Sequence, residues 1–256
     1  MLSWMIKMRT ETVTFTKKEL AYVIPESILV FAPHPDDELL SCGGLILKYS
    51  KLGTKIIVIG ITRGIGGYSK TDYQEDIQDI RIREFEKSIQ LLGADQELSR
   101  DLGYDEITPT RSYIKEFTEL IRDLQPHLIL CPHPEDTHWI HRNTSLCVTE
   151  AVYHSQGRAY GGYQKEWIPF GCYFYESPSC KFEYVEGPKI VCDITAEWDD
   201  KIKIFEEVYQ SQVEQLERVA DWAERTAKLR GEMGFCGYGE AFIPDTRYVP
   251  LKLLII

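Results

Sequence analysis

The sequence predicts an α/β fold: a Rossmann-like, mostly parallel sheet with helices on both faces, plus a C-terminal α+β portion. Three observations predict it. Short apolar runs at Ser27–Ala32, 54–61 and 127–131 lack polar alternation, as strands buried on both faces do. Stretches of helical period separate these runs. The first and third runs lead into clusters of His and Asp, at the strand ends where open α/β sheets collect ligands.

Taken in order, Ser27–Ala32 (SILVFA) is the first strand. Residues 39–52 read as a helix although Gly43 and Gly44 fall inside it. Residues 54–61 (TKIIVIGI) form the second strand. Residues 75–92 are a long periodic helix closed by Gly93, a residue suited to helix ends. Another helix covers 113–124, and Pro126 precedes the third strand at 127–131. Residues 143–154 return to helix. The stretch 157–171 is rich in Gly and aromatic residues and reads as a loop, with further strands at 172–176 and 189–193. Residues 196–230 read as one long helix, because Trp198, Ile202, Phe205, Val208, Leu216, Val219 and Trp222 recur mostly at three- or four-residue steps. Gly231 and Gly234 end it, and 238–256 read as irregular and then strand-like. No repeat or low-complexity linker interrupts the chain. A single domain over 1–256 is expected, with 1–155 carrying the site and 156–256 covering it.

The chain has 256 residues, with Asp+Glu 40 against Lys+Arg 29 and a formal net charge of −11. That excess of acid argues against nucleic acid and anionic membranes as partners. The seven cysteines are scattered without C-x-x-C spacing, which reads as reduced thiols and not a disulfide framework. Lys7, Arg9 and Glu11 break the start of the chain, which lacks the apolar core of a signal peptide. The longest apolar runs fall far short of a membrane span. A cytoplasmic protein acting on a small molecule is expected.

The stretch 32–44, APHPDDELLSCGG, crowds His34, Asp36, Asp37 and Glu38 between the first strand and the first helix. His34 and Asp37, three residues apart around a Pro, can converge on one cation from a tight turn. Imidazole and carboxylate both suit Zn²⁺. Alone, the stretch reads equally as Asp36 and Asp37 capping a helix. A second cluster, 132–141 (PHPEDTHWIH), decides for chemistry. His138 and His141 stand close to one helical turn apart and share a face. Two strand-end clusters in one parallel sheet are placed to meet in a single crevice. A third protein ligand from the second cluster leaves an open position for water, the pattern of a catalytic zinc site. Other features read blandly. His127 and His154 are structural, and Gly64, Gly66 and Gly67 lack the G-x-G-x-x-G order of a dinucleotide loop. The aromatic group Tyr160, Tyr163, Trp167 and Phe170 suits a substrate wall and an oligomer contact equally.

In these motifs the chain resembles the LmbE-like, or PIG-L, family of zinc-dependent N-acetylglucosaminyl deacetylases. The resemblance rests first on His34-Pro35-Asp36-Asp37-Glu38 and on 133–141 (HPEDTHWIH). Arg81, Glu84 and Leu92-Gly93 support it, as do Asp193-Ile194-Thr195, Ser211-Gln212 and 237–242 (GYGEAF). It implies hydrolysis of an N-acetyl amide on an amino sugar or sugar conjugate. It implies Zn²⁺, or another divalent transition metal, bound by His34, Asp37 and His141. Asp36 would be the general base, and His138, as an imidazolium, would face the scissile carbonyl. Arg81 and Asp105 would contact the substrate. The resemblance also implies a homo-oligomer, trimer or hexamer, with the apolar tail 252–256 suited to such a contact or to an edge strand. Trp139-Ile140 stands where the family has Pro-Asp, and Arg63-Gly64 follows the second strand where the family often has Gly-Glu. Two other readings stay open: hydrolysis of another small amide such as a thiol conjugate, and a catalytically silent Rossmann-like binding domain.

Overall fold

The computed structural model describes residues 5–8, 11–14, 24–64, 76–158, 160 and 165–247, without the side chains of 5–8, 11–14 and 213–217. Strands β1 (Met5–Met8) and β2 (Glu11–Thr14) pair as an antiparallel hairpin outside the main sheet. The alternating half follows: β3 (Ser27–Ala32), α1 (Asp37–Lys51), β4 (Lys55–Thr62), α2 (Ile77–Leu91), β5 (Arg100–Tyr104), α3 (Arg111–Leu124), β6 (Leu128–Pro132) and α4 (Trp139–Ser155). The remainder is β7 (Gly171–Tyr175), β8 (Ile190–Asp193), α5 (Trp198–Val208), a 3-10 turn (Gln210–Gln212), α6 (Val213–Gly234) and β9 (Gly239–Pro244).

The seven-stranded sheet has the order β5-β4-β3-β6-β7-β9-β8. The five strands from β5 to β7 are parallel, and β9 runs antiparallel to both of its neighbours. This is the mostly parallel α/β architecture expected from the apolar runs. The period-2 geometry of a strand sorts its side chains to two faces. Ile28, Val30 and Ala32 enter one apolar layer with α1, α2, α5 and α6, while Leu29 and Phe31 enter the other with α3 and α4. Every residue of β3 is buried, so the strand has no solvent face to vary. Among the described residues, no helix is long and apolar enough to cross a membrane.

Two elements differ from expectation. The edge strand β5 (RDLGY) was hidden because one of its sides has no neighbour, so its residues are exposed or half-buried and carry no apolar run. The long helix over 196–230 is broken at 209–212. There the Tyr209 hydroxyl donates to Glu38, and the Ser211 N–H and hydroxyl donate to Glu84 at 2.7 Å each. Tertiary acceptors replace the helical ladder at that point, while the apolar phase carries on past it. Strand β9 lies within the stretch expected to be irregular, and the tail at 252–256 lies outside the described residues.

Gly43 and Gly44 sit inside α1 for a steric reason. A Cβ on Gly44 would lie 2.7 Å from Ile194, and one on Gly43 would lie 2.8 Å from Leu39. The same turn of helix takes a buried ion pair. Glu240 of β9 accepts the N–H groups of Gly44 and Leu45 at 2.8 Å, and Lys201 of α5 donates to Glu240 at 2.7 Å and to the Leu40 carbonyl at 2.8 Å. This knot ties α1 to both the sheet and α5. Removing one member of a buried pair strands the other. Lys201→Met is therefore expected to lower unfolding free energy by about 3 kcal/mol. A denaturant titration reads this; a loss under 1 kcal/mol, about the worth of a surface pair, would contradict it.

Candidate metal centre

The first cluster hangs on the turn from β3 into α1. Thr62 at the end of β4 holds that turn by donating its N–H (3.0 Å) and hydroxyl (2.7 Å) to the Pro33 carbonyl. Asp36, the N-cap of α1, has φ 117°. A non-glycine residue there costs roughly 1–3 kcal/mol and persists only when its surroundings fix it. Here they do. The Asp36 N–H donates to Glu38 at 3.0 Å, and its Oδ2 accepts from Gln212 at 2.7 Å and from Arg81 at 3.1 Å. Arg81 also donates to the Pro35 carbonyl and to Glu84.

The second cluster follows β6. Because β3 and β6 pair directly and in parallel, their carboxyl ends open side by side. Three donor atoms meet there. His34 Nδ1, Asp37 Oδ2 and His141 Nε2 are each 3.2 Å from the other two. Ligand atoms sharing one zinc tetrahedrally at 2.0–2.1 Å stand about 3.3 Å apart. The triangle meets that spacing and leaves its outer side toward a cavity. The three imidazoles of His34, His138 and His141 form a looser group, with ligand atoms within 4.8 Å of one another. His138 is the exposed member of that group. The tighter triangle is the better fit for one ion.

The surrounding charge favours a cation at this spot. Burial opposes ionisation of Asp37, yet His141 and His34 hold it well below the usual carboxylate range. Burial likewise opposes charge on His141, but Asp37 and Asp136 overcome it and push the ring up to about 10. Asp136 supplies the orientation. It is 1% exposed, accepts from Ser177 at 2.6 Å, and meets His141 Nδ1 at 2.9 Å. With Nδ1 committed to a carboxylate, Nε2 is the nitrogen turned toward the triangle, where a bound metal would take the place of its proton, the arrangement that suits a metal-binding imidazole. Asp136 was not singled out from the sequence. Ile140, which stands where the family has Asp, is 5% exposed and packs in the apolar layer. Trp139 points outward, 42% exposed.

A cavity of about 560 Å³ opens over the triangle. His34, Asp36, Asp37, His138 and His141 line it, so all five residues expected at the reacting centre come together. Burial raises Asp36, against the pull of Arg81. Burial lowers His138, and His34 and His141 lower it further. Both hydrogen bonds to the Asp36 carboxylate from described residues fall on Oδ2, which leaves Oδ1 for the cavity.

Arg81 and Asp105, expected at the substrate, differ in their placement. Arg81 borders the cavity but is 1% exposed, with its guanidinium committed to Asp36, Glu84, Pro35 and Ser211. Its geometry is that of a support for Asp36. Asp105 is exposed just past the edge strand β5 and is not part of the cavity lining. The aromatic group is elsewhere too. Trp167 and Phe170 pack on His127, and Tyr160 packs on His154, while Tyr163 lies outside the described residues. The cavity's aromatic wall is Trp222, which the sequence reading had assigned to the helix core. Gln212 is a second lining residue without an individual role in that reading, although Ser211-Gln212 was noted as a motif.

Residues 29–152, which span β3 to α4, match the family described as PIG-L: GlcNAc-PI de-N-acetylase. A diacetylchitobiose deacetylase from Thermococcus kodakarensis is 30% identical over 133 residues, covering 50% of this chain and 49% of that protein. The match thus spans about half the length of that curated relative. The solved structure of N,N'-diacetylchitobiose deacetylase from Pyrococcus horikoshii in complex with its inhibitor MPG is 26% identical, with a TM-score of 0.77 over 91% of this chain and 90% of that one. The 4-carboxy-2-hydroxymuconate hydratase GalB from Pseudomonas putida shares the fold at 20% identity, with a TM-score of 0.72 over 89% of this chain and 99% of that one. The match to the PIG-L family runs from β3 to α4 and so includes both donor clusters.

Proposed function

We propose that this chain is a zinc-dependent N-deacetylase that hydrolyses the N-acetyl amide of an amino sugar, releasing acetate and a free amine. The triangle of His34, Asp37 and His141, with three 3.2 Å edges at the base of the cavity, carries this reading. The names of the deacetylase relatives supply the amide and the sugar. A metal bound to those three residues supplies Lewis acidity toward an amide carbonyl and makes water easier to deprotonate.

The chain's own residues divide the remaining work. Asp36 Oδ1 takes a proton from the attacking water. Arg81 opposes the burial that raises Asp36, and Gln212 fixes its rotamer. His138 donates its N–H toward the carbonyl oxygen as negative charge gathers there. The proton held by Asp36 then passes to the amine as the C–N bond breaks. Asp136 keeps His141 in one tautomer throughout. The water's oxygen ends in acetate, and its two protons are shared between the products and solvent.

The direct test is release of primary amine from a panel of N-acetylated amino sugars and conjugates, with zinc-loaded and chelator-stripped protein compared. Zinc-dependent release from one or more of them is the expected result. No release from protein shown to hold zinc would overturn the reading. Two further outcomes separate the roles. Asp36→Asn is expected to lower kcat by roughly 10²–10⁴-fold while zinc content stays at the wild-type level, whereas Asp37→Asn loses the metal. Equal zinc loss in both variants would contradict this division. Asp136→Asn is expected to weaken zinc binding about 10- to 100-fold in a competition titration, with the melting curve still cooperative. Unchanged affinity would show that the carboxylate does not orient His141.

A further inference from the structure

Helix α4 (Trp139–Ser155) is walled in on most of its surface. Ile140, Cys147, Val148, Ala151 and Val152 pack in the apolar layer that it shares with α3. At its flank Asn143 donates to the Ile107 carbonyl at 2.8 Å, and Arg122 of α3 donates to the His154 carbonyl at 2.9 Å. Of its 17 residues only Trp139, Leu146 and Tyr153 are exposed, at 42%, 37% and 53%. The three stand seven residues apart, so they form one stripe about 21 Å long down the helix. Other helices use their exposed positions differently. On α5 these are Asp199, Asp200, Lys203, Glu206 and Glu207, and on α3 they are likewise polar. Single apolar residues scattered over a surface are ordinary. A helix whose exposed positions are Trp, Leu and Tyr at heptad spacing presents a face that another helix covers.

The charges beside the stripe point to the occupant. Arg142 lies one turn before Leu146 and Glu150 one turn after it, both half-buried. If two copies of α4 pair antiparallel about Leu146, each residue comes level with the one equally far beyond Leu146 on the other copy. Trp139 then meets Tyr153, Leu146 meets Leu146, and Arg142 comes level with Glu150, the outer contacts occurring twice. Arg142 uses Nη1 on the carbonyls of Asp136 and Thr137, which leaves other guanidinium donors for an acid. Parallel pairing would instead set Arg142 on Arg142 and Glu150 on Glu150. The stripe is therefore complementary to itself in one direction, as a two-fold contact between identical chains requires. Trp139 stands where the family has Pro, so the first residue of the stripe belongs to this chain and not to the motif.

We propose that α4 is the docking surface for a second copy of this chain, with the two helices antiparallel about a two-fold axis at Leu146. The proposal does not rest on the deacetylase reading. It goes beyond the trimer or hexamer that the family resemblance implies by naming a face and a direction. Leu146 and the two aromatic pairs form the dry centre of the contact, and Arg142 and Glu150 form its rim. The seam starts beside the site: His138, which lines the cavity, is the N-cap of α4, and Trp139 next to it is covered by Tyr153 of the other copy. The two cavities lie at opposite ends of the seam.

Sedimentation equilibrium on the full chain tests this. The wild type is expected to form an assembly with an even number of copies, the α4 contact having a Kd of about 10 μM or tighter. Leu146→Glu places two carboxylates face to face on the axis and is expected to halve the assembly, weakening the contact at least about 100-fold. Leu146 is exposed in the single chain and Glu is a good helix former, so the melting curve stays cooperative. Glu150 supplies a second test that leaves the apolar seam intact. Glu150→Gln is expected to weaken pairing about threefold and Glu150→Arg about tenfold, because each change is felt twice. A chain that stays monomeric up to about 100 μM, or an assembly whose size survives Leu146→Glu, would overturn the proposal. Pairing unchanged by both Glu150 variants, or tightened by Glu150→Gln, would overturn the antiparallel order.

Discussion

The parallel pairing of β3 with β6 is the constraint on which the rest of the molecule depends. Ile28, Leu29 and Val30 lie opposite Leu128, Ile129 and Leu130. The chain leaves β3 for β4 and β5 on one side of the sheet, then returns to place β6 on the other. The strand order therefore reverses at this pair, and the adjacent carboxyl ends open into one crevice. His34 and Asp37 enter from one strand end and His141 from the other, 107 residues apart in sequence for His34 and His141 and 3.2 Å apart in space. A slip by one residue in the pairing would turn every side chain of a strand to its opposite face and misdirect the turn beyond it. The fully buried β3 and β6 exclude such slips because each face has its own helices to fit.

A set of buried charges fixes the site more finely than packing does. Asp136 and Ser177 hold His141 from behind. Glu38 is fully buried and pushed up to about 7 by that burial, although Ser88 and Tyr209 donate to it. It in turn accepts the Asp36 N–H, so the strained turn is tied to α2 and to the α5–α6 junction. Glu84 and Ser211 complete the link through Arg81. Buried pairs contribute little net stability, but breaking one is costly. Their service here is to hold Asp36 in a conformation that its own backbone disfavours.

Much of this was legible in the sequence. The three apolar runs located β3, β4 and β6, and the His and Asp residues at their ends located both halves of the site. His34, Asp36, Asp37, His138 and His141 all reach the same cavity. What stayed hidden has physical reasons. Strand β5 has an open edge and so no apolar signature. The break between α5 and α6 is made by distant acceptors, Glu38 and Glu84, that no local pattern announces. The pairing of Arg81 with Asp36 was hidden because a motif gives a residue's place and not its direction. Asp136 sits within the motif that carries His138 and His141, and the signal was the acid five residues ahead of His141.

The central claim is that one metal is held by two imidazoles and one carboxylate, and not by three imidazoles. X-ray absorption fine structure at the zinc edge of the loaded protein measures this most directly. The account predicts two imidazole ligands with oxygen ligands completing a shell at about 2.0–2.1 Å. A shell with three imidazoles would show that His138 replaces Asp37 at the metal and would contradict the assignment of both residues. A sulfur shell at about 2.3 Å would place the ion at a cysteine and away from this cavity altogether.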